Sequence, residues 1–136
     1  MSQGFSIEEP EVASILDASP DSILLVNSEG IICYTNARVN ELFGYTSGEL
    51  IGEEIEMLVP RNARETHITE REEYVKNPTA RPMGADVELF GRRKDGSMLP
   101  VDISLGPLEI DGETYVIAVV RDINDQKSLR ARYKTV

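Results

Sequence analysis

Apolar residues recur along this chain at two different periods, and the change from one to the other divides it. Near the N-terminus Val12, Ile15 and Leu16 fall three to four residues apart within EEPEVASILDAS, the spacing of one helical face, and Pro20 marks the stop. Two short β-type runs follow, SILLVN (22–27) and IICYTN (31–36), and Ser28-Glu29-Gly30 between them predicts a hairpin. ARVNELFG then sets Val39, Leu42 and Phe43 on one helical face, with Asn36 as its N-cap and Gly44 as its terminator. Shorter helical pieces are expected over TSGEL and EEIEML, ending at Pro60. RNARETHITEREEY (61–74) reads as one amphipathic helix ending near Asn77-Pro78, with Asn62 as N-cap and Glu65 as its capping-box partner. On that helix His67, Arg71 and Tyr74 stand four and three residues apart and share a face.

Beyond Pro78 the period becomes two. In SMLPVDISL, Leu99, Val101, Ile103 and Leu105 point one way and Met98, Pro100, Asp102 and Ser104 the other. DVELFGRR precedes it through the turn Lys94-Asp95-Gly96, and TYVIAVVRD follows the turn Asp111-Gly112. The pattern predicts five strands in antiparallel pairs, with helices inserted between the second and the third. SILLVN and YVIAVV are apolar on both faces, whereas a sheet wet on one side alternates. The middle helices can cover one face; the N-terminal helix, a second copy of the chain, or both must cover the other.

Composition narrows the class. A chain of 136 residues, 40% hydrophobic and 28% charged, is one globular domain. No apolar run approaches the ~20 residues that cross a bilayer, and no basic and apolar leader pattern opens the sequence. The single cysteine, Cys33, leaves no internal disulfide and fits a reducing, cytoplasmic compartment. Mid-strand in IICYT, it reads as a small buried hydrophobe. The net charge of −10 lies in residues 1–60, which hold eleven acids and one base; residues 61–136 hold thirteen of each. Without a basic stripe, direct nucleic-acid binding is not expected. With one histidine and one cysteine, no nucleophile–base pair, phosphate loop or metal-spaced cluster is available, so the chain is not expected to be an enzyme. Glu53, Glu54, Glu56, Glu70, Glu72 and Glu73 read as solvated helix faces.

The segments Ile15-Leu16-Asp17-Ala18-Ser19-Pro20-Asp21, Asn36-Ala37, Leu42-Phe43-Gly44-Tyr45, Glu49-Leu50-Ile51-Gly52, Gly91-Arg92-Arg93-Lys94-Asp95-Gly96-Ser97, Pro100-Val101 and Val119-Val120-Arg121-Asp122-Ile123-Asn124 resemble PAS domains of prokaryotic signalling proteins. The resemblance covers about residues 10–127. It implies an α+β fold, a five-stranded antiparallel sheet with short helices over one face. Residues 1–19 would form a tail and a cap or dimerisation helix, 20–122 the core, and 123–136 the start of an output helix. It also implies a sensory and dimerisation module, feeding a histidine kinase or another regulator.

On that footing, His67, Tyr74, Val87, Leu89, Ile103 and Leu105 are expected to line a mostly apolar ligand pocket. Asp122 and Ile123 would pass the signal to the C-terminal helix, and Val12, Ile15 and Leu16 would serve a homodimer. Leu129, Tyr133 and Val136, at four–three spacing, suit a coiled-coil seam. Haem-binding oxygen sensors of the family place an iron-ligating histidine on the helix that carries His67 here. Their oxygen-contacting arginine is replaced by Val87, and a basic propionate partner falls at Glu73, with Arg81 as a substitute cation. Haem is therefore the alternative reading, with His67 as axial ligand, and no other metal is expected. A ligand-free homodimerisation domain is the third.

Overall fold

The alternation in SMLPVDISL becomes the longest strand of a single antiparallel sheet. The computed structural model describes residues 10–82 and 88–123, with side chains described for 13–80 and 88–123. In chain order the strands are β1 (Ser22–Asn27), β2 (Ile32–Thr35), β3 (Arg81–Pro82), β4 (Leu89–Arg92), β5 (Met98–Ile110) and β6 (Glu113–Asp122). The helices are α1 (Pro10–Asp17), α2 (Ala37–Phe43) and α3 (Arg64–Lys76). The sheet runs β2-β1-β6-β5-β3, and β4 also pairs with β5. All pairs are antiparallel. The five expected strands are present, and the two-residue β3 adds a sixth that no period-two pattern announces. β5 runs past Leu105 because its ladder with β6 continues unbroken through Gly106 and Pro107 to Ile110↔Glu113. Asp111 and Gly112 close that hairpin with φ of 51° and 80°, the two positive values that a tight two-residue turn needs.

One face of the sheet carries the core. Leu24 and Val26 of β1, Ile32 of β2, Leu99 and Val101 of β5, and Ala118 and Val120 of β6 pack with Val39 and Phe43 of α2, Leu50 and Leu58. Leu25 and Tyr115 are also buried but lie outside this cluster, on the alternate positions of β1 and β6. The doubly apolar strands are thus covered at these points on both faces. Ile15 of α1 remains 71% exposed.

Asn36 joins the layers. Fully buried, it accepts from Ile23 N at 3.0 Å and Val39 N at 3.3 Å through Oδ1. Its Nδ2 donates to Leu16 O at 2.9 Å and Asp21 O at 3.0 Å. The expected cap of α2 is therefore also the bolt between α1, β1 and α2. Gly44 ends α2 in the left-handed region at φ 83°.

Two local expectations are corrected. TSGEL forms turns rather than a helix, held by Glu49 N on Thr46 O and Ile51 N on Gly48 O. The histidine helix starts later than its capping-box pattern implies. Residues Arg61–Ala63 take a three-ten turn behind Pro60, and Ala63 stands at the N-cap with no side-chain bond, so Asn62 and Glu65 form no capping box.

Candidate functional site around Glu56

The chain between α2 and α3 clings to the free edge of β2. Gly52 N donates to Ile32 O at 2.8 Å, Ile32 N to Glu53 O at 2.9 Å, and Ile55 N to Gly30 O at 2.8 Å. These bonds fix a short three-ten turn, Ile55–Leu58, that buries Leu58 and with it Glu56. Arg64 Nε then donates to Val59 O at 3.0 Å, anchoring the start of α3 on the end of that turn.

Glu56 is 4% exposed and meets two basic side chains of α3. His67 Nδ1 lies 2.7 Å from Glu56 Oε2, and Arg71 Nε donates to the same oxygen at 2.9 Å. Arg71 Nη2 reaches Oε1 at 3.3 Å. Burial alone would push this carboxyl pKa up. The hydrogen bonds and charges of Arg71 and His67 outweigh burial and hold it below the usual glutamate value. Ionised, Glu56 only accepts, so the three contacts are charge-assisted donations into one carboxylate.

Gly30 makes the arrangement possible. A Cβ at Gly30 would lie 2.4 Å from Arg71 Cζ and 2.6 Å from Nε, and its φ of 85° already disfavours any side chain. The β1–β2 turn, the three-ten turn and α3 therefore meet at one buried charge.

The reading of Glu56 as a solvated helix face is overturned: three donors and the packing of Ile55–Leu58 compensate its burial. Glu53, Glu54, Glu70, Glu72 and Glu73 are exposed, as expected. Glu56 and Arg71 were missed as site residues. The available signal was Arg71 sharing a half-buried face with His67, which demands an acid from elsewhere in the chain.

Of the pocket candidates, His67 lies in this cluster. Tyr74 is buried on the same helix, and its hydroxyl donates to Thr79 O, holding the chain that leaves α3. Leu89, Ile103 and Leu105 are partly buried and pack against the core from β4 and β5. Val87 lies outside the described residues. Asp122 stands opposite Val101 at the end of β6, and Ile123 is half-buried beyond it. In α1, Leu16 is half-buried, and the side chain of Val12 lies outside the described set. The proposed seam residues Leu129, Tyr133 and Val136 also lie outside it. Cys33 is half-buried on β2 rather than fully buried; desolvation raises its thiol pKa, and Sγ lies 3.5 Å from Ile31 O. A shallow cleft of about 250 Å³ opens elsewhere, among Phe43, Gly44, Arg93, Lys94 and Asp95.

Among the described residues no three His, Cys, Asp or Glu side chains gather as a metal site. Haem fits α3 poorly. His67 could ligate through Nε2, with Glu56 orienting the ring, but about two turns along α3, where a propionate needs a base, the side chain is the acid Glu73. Arg64 is turned to Val59 O, and Lys76, at the end of the helix, lies exposed beside that same Glu73. The side chain of Arg81 lies outside the described set.

Comparison with known proteins agrees with this architecture. Residues 20–125 match the PAS domain family. The chain is 29% identical over 124 residues to the sensor protein FixL of Bradyrhizobium diazoefficiens, covering 91% of this chain and 25% of that protein. It is 33% identical over 103 residues to the oxygen sensor protein DosP of Escherichia coli, covering 73% of this chain and 12% of that one. It therefore spans a minor part of both relatives. The crystal structure of the PAS domain of an HTR-like protein from Haloarcula marismortui superposes with a TM-score of 0.68 at 25% identity, covering 82% of this chain and 88% of that one. A central β6 flanked by β1 and β5, helices over one face and a family match across 20–125 lead to one assignment: the chain belongs to the PAS domain family, the sensory modules of signalling proteins.

Proposed function

We propose that this domain is the cytoplasmic input of a longer signal-transduction chain, binding a small ligand over the sheet and reporting it through the end of β6. One observation carries the reading. β6 is the central strand, paired with β1 along Ser22–Asn27 and with β5 from Val101 to Ile110, so a change on either side reaches Asp122 and Ile123. The signal is a population shift: the ligand favours one packing of α3 on the sheet, and that packing sets the geometry at the end of β6. The output domain is a kinase or another regulator, and this domain performs no chemistry of its own. Exposed Ile15 on α1 supports a homodimer through that helix. No helix among the described residues is long and apolar enough to cross a membrane.

The test is amide hydrogen exchange on the purified chain, before and after removal of co-purifying small molecules identified by native mass spectrometry. Slower exchange at residues 117–123 in the loaded protein is expected. A bound ligand that leaves β6 unchanged refutes the coupling, and a ligand-free dimer leaves only a dimerisation module.

A further inference from the structure

Three donors on α3 converge on Glu56, and two contacts that do not involve it help hold the helix that aims them. Arg71 is seated against Gly30, whose backbone leaves no room for a Cβ. His67 sits one helical turn earlier on the same element, and Arg64 pins the start of that helix to Val59 O. Glu56 arrives on a four-residue three-ten turn that has no side-chain cap and is tied at Ile55 N to Gly30 O. Arg71 presents Nε and Nη2 to the two different oxygens, the forked edge that matches a planar carboxylate.

We infer that Arg71 and His67 form a carboxylate-binding site whose resident occupant is the chain's own Glu56, and that a small carboxylate ligand acts by displacing it. The inference rests on the sensory reading above and supplies its ligand class. Once displaced, Glu56 is an unpaired charge in a buried position and turns outward to water. Its turn is bonded to Gly30 O, and the neighbouring Glu53 O accepts from Ile32 N, so the movement loads the β1–β2 hairpin. β1 passes it to β6 along their shared ladder. Because the occupant is tethered, the wild-type protein binds weakly: its apparent Kd is the intrinsic value divided by the fraction of molecules in which Glu56 has swung away.

Two-dimensional NMR of the full 136-residue chain tests this with sodium acetate, against sodium chloride at equal ionic strength. Acetate is expected to shift the His67 ring resonances saturably in Glu56→Ala, at least about tenfold more tightly than in wild type. Chloride should not reproduce the saturation, and Glu56→Ala combined with Arg71→Gln should abolish it. Wild type should show the same His67 shift at higher acetate concentration. Failure of acetate to saturate in Glu56→Ala overturns the site. Saturation there with no response in wild type overturns the displacement. If Glu56→Ala does not fold, the wild-type titration decides alone. Acetate that moves His67 in wild type but leaves exchange in β6 unaltered would uphold this site and refute the sensory coupling; a β6 response to acetate with His67 unmoved would do the reverse.

Discussion

Replacing Glu56 with glutamine removes one charge and almost no volume, so it isolates the electrostatics of the cluster. The side chain is 4% exposed, and its shortest contacts, 2.7 Å to His67 and 2.9 Å to Arg71, are the strong ones; the third, at 3.3 Å, adds little. Hydrogen bonds to charged groups contribute about 1.5–3 kcal/mol each. Breaking a buried pair from one side costs about 3–5 kcal/mol, because the partner charge remains. Glutamine keeps one carbonyl acceptor, which recovers part of the loss. We expect Glu56→Gln to lose about 3 kcal/mol from a total of about 5–15. Urea unfolding at pH 7 should show the midpoint fall with the slope unchanged.

The loss should also depend on pH. The folded-state pKa of Glu56 lies below its unfolded value of ~4.3, so its stabilisation is complete above that pH and disappears as pH falls through the lower folded value. Glutamine has no such titration, and the two stability curves should converge toward acid. A difference below about 1 kcal/mol at pH 7, or one that persists unchanged at acid pH, would refute the role given to the cluster.

Asn36→Ala should cost about 3–4 kcal/mol by urea unfolding, because four hydrogen bonds of a buried side chain go and two carbonyls lose their donor; a loss under about 1 kcal/mol would mean water replaces the amide. Ile103→Asp should unfold or aggregate the domain, since the side chain packs against the core opposite Val120 and an unpaired carboxylate there costs several kcal/mol. Normal thermal stability in that variant would place Ile103 on the other face. Deleting residues 1–19 should weaken dimerisation in sedimentation equilibrium; an intact chain that stays monomeric at high concentration would remove α1 from the interface.

The sheet was legible because its signals are local. Asn36 and Gly44 announce a helix start and stop by side-chain chemistry alone, and Leu99, Val101, Ile103 and Leu105 reveal their face by period two. The site was not legible in that way. EEIEML offers three glutamates, and nothing within the segment separates Glu56 from Glu53 or Glu54. The distinction comes from α3, eleven and fifteen residues onward, and from Gly30 on the opposite flank. The capping-box pattern at Asn62 and Glu65 misled for a related reason. Arg64 finds Val59 O and Pro60 starts a three-ten turn, so tertiary contacts set the helix start. β3 carries no signal, being two residues long and half proline.

The ion pair of Arg121 with Asp21, at 3.2 Å, has a mechanical consequence. Ser22 and Val120 face each other at the end of the β1–β6 ladder, and β6 continues two residues further against β5. Tension applied by flanking segments would open that ladder like a zipper, loading one rung at a time instead of shearing all rungs together. The Arg121–Asp21 contact stands in front of the first rung of that ladder and bears load before it. A domain strung this way yields at low force when its neighbours are pulled apart, and it is protected when they are clamped side by side.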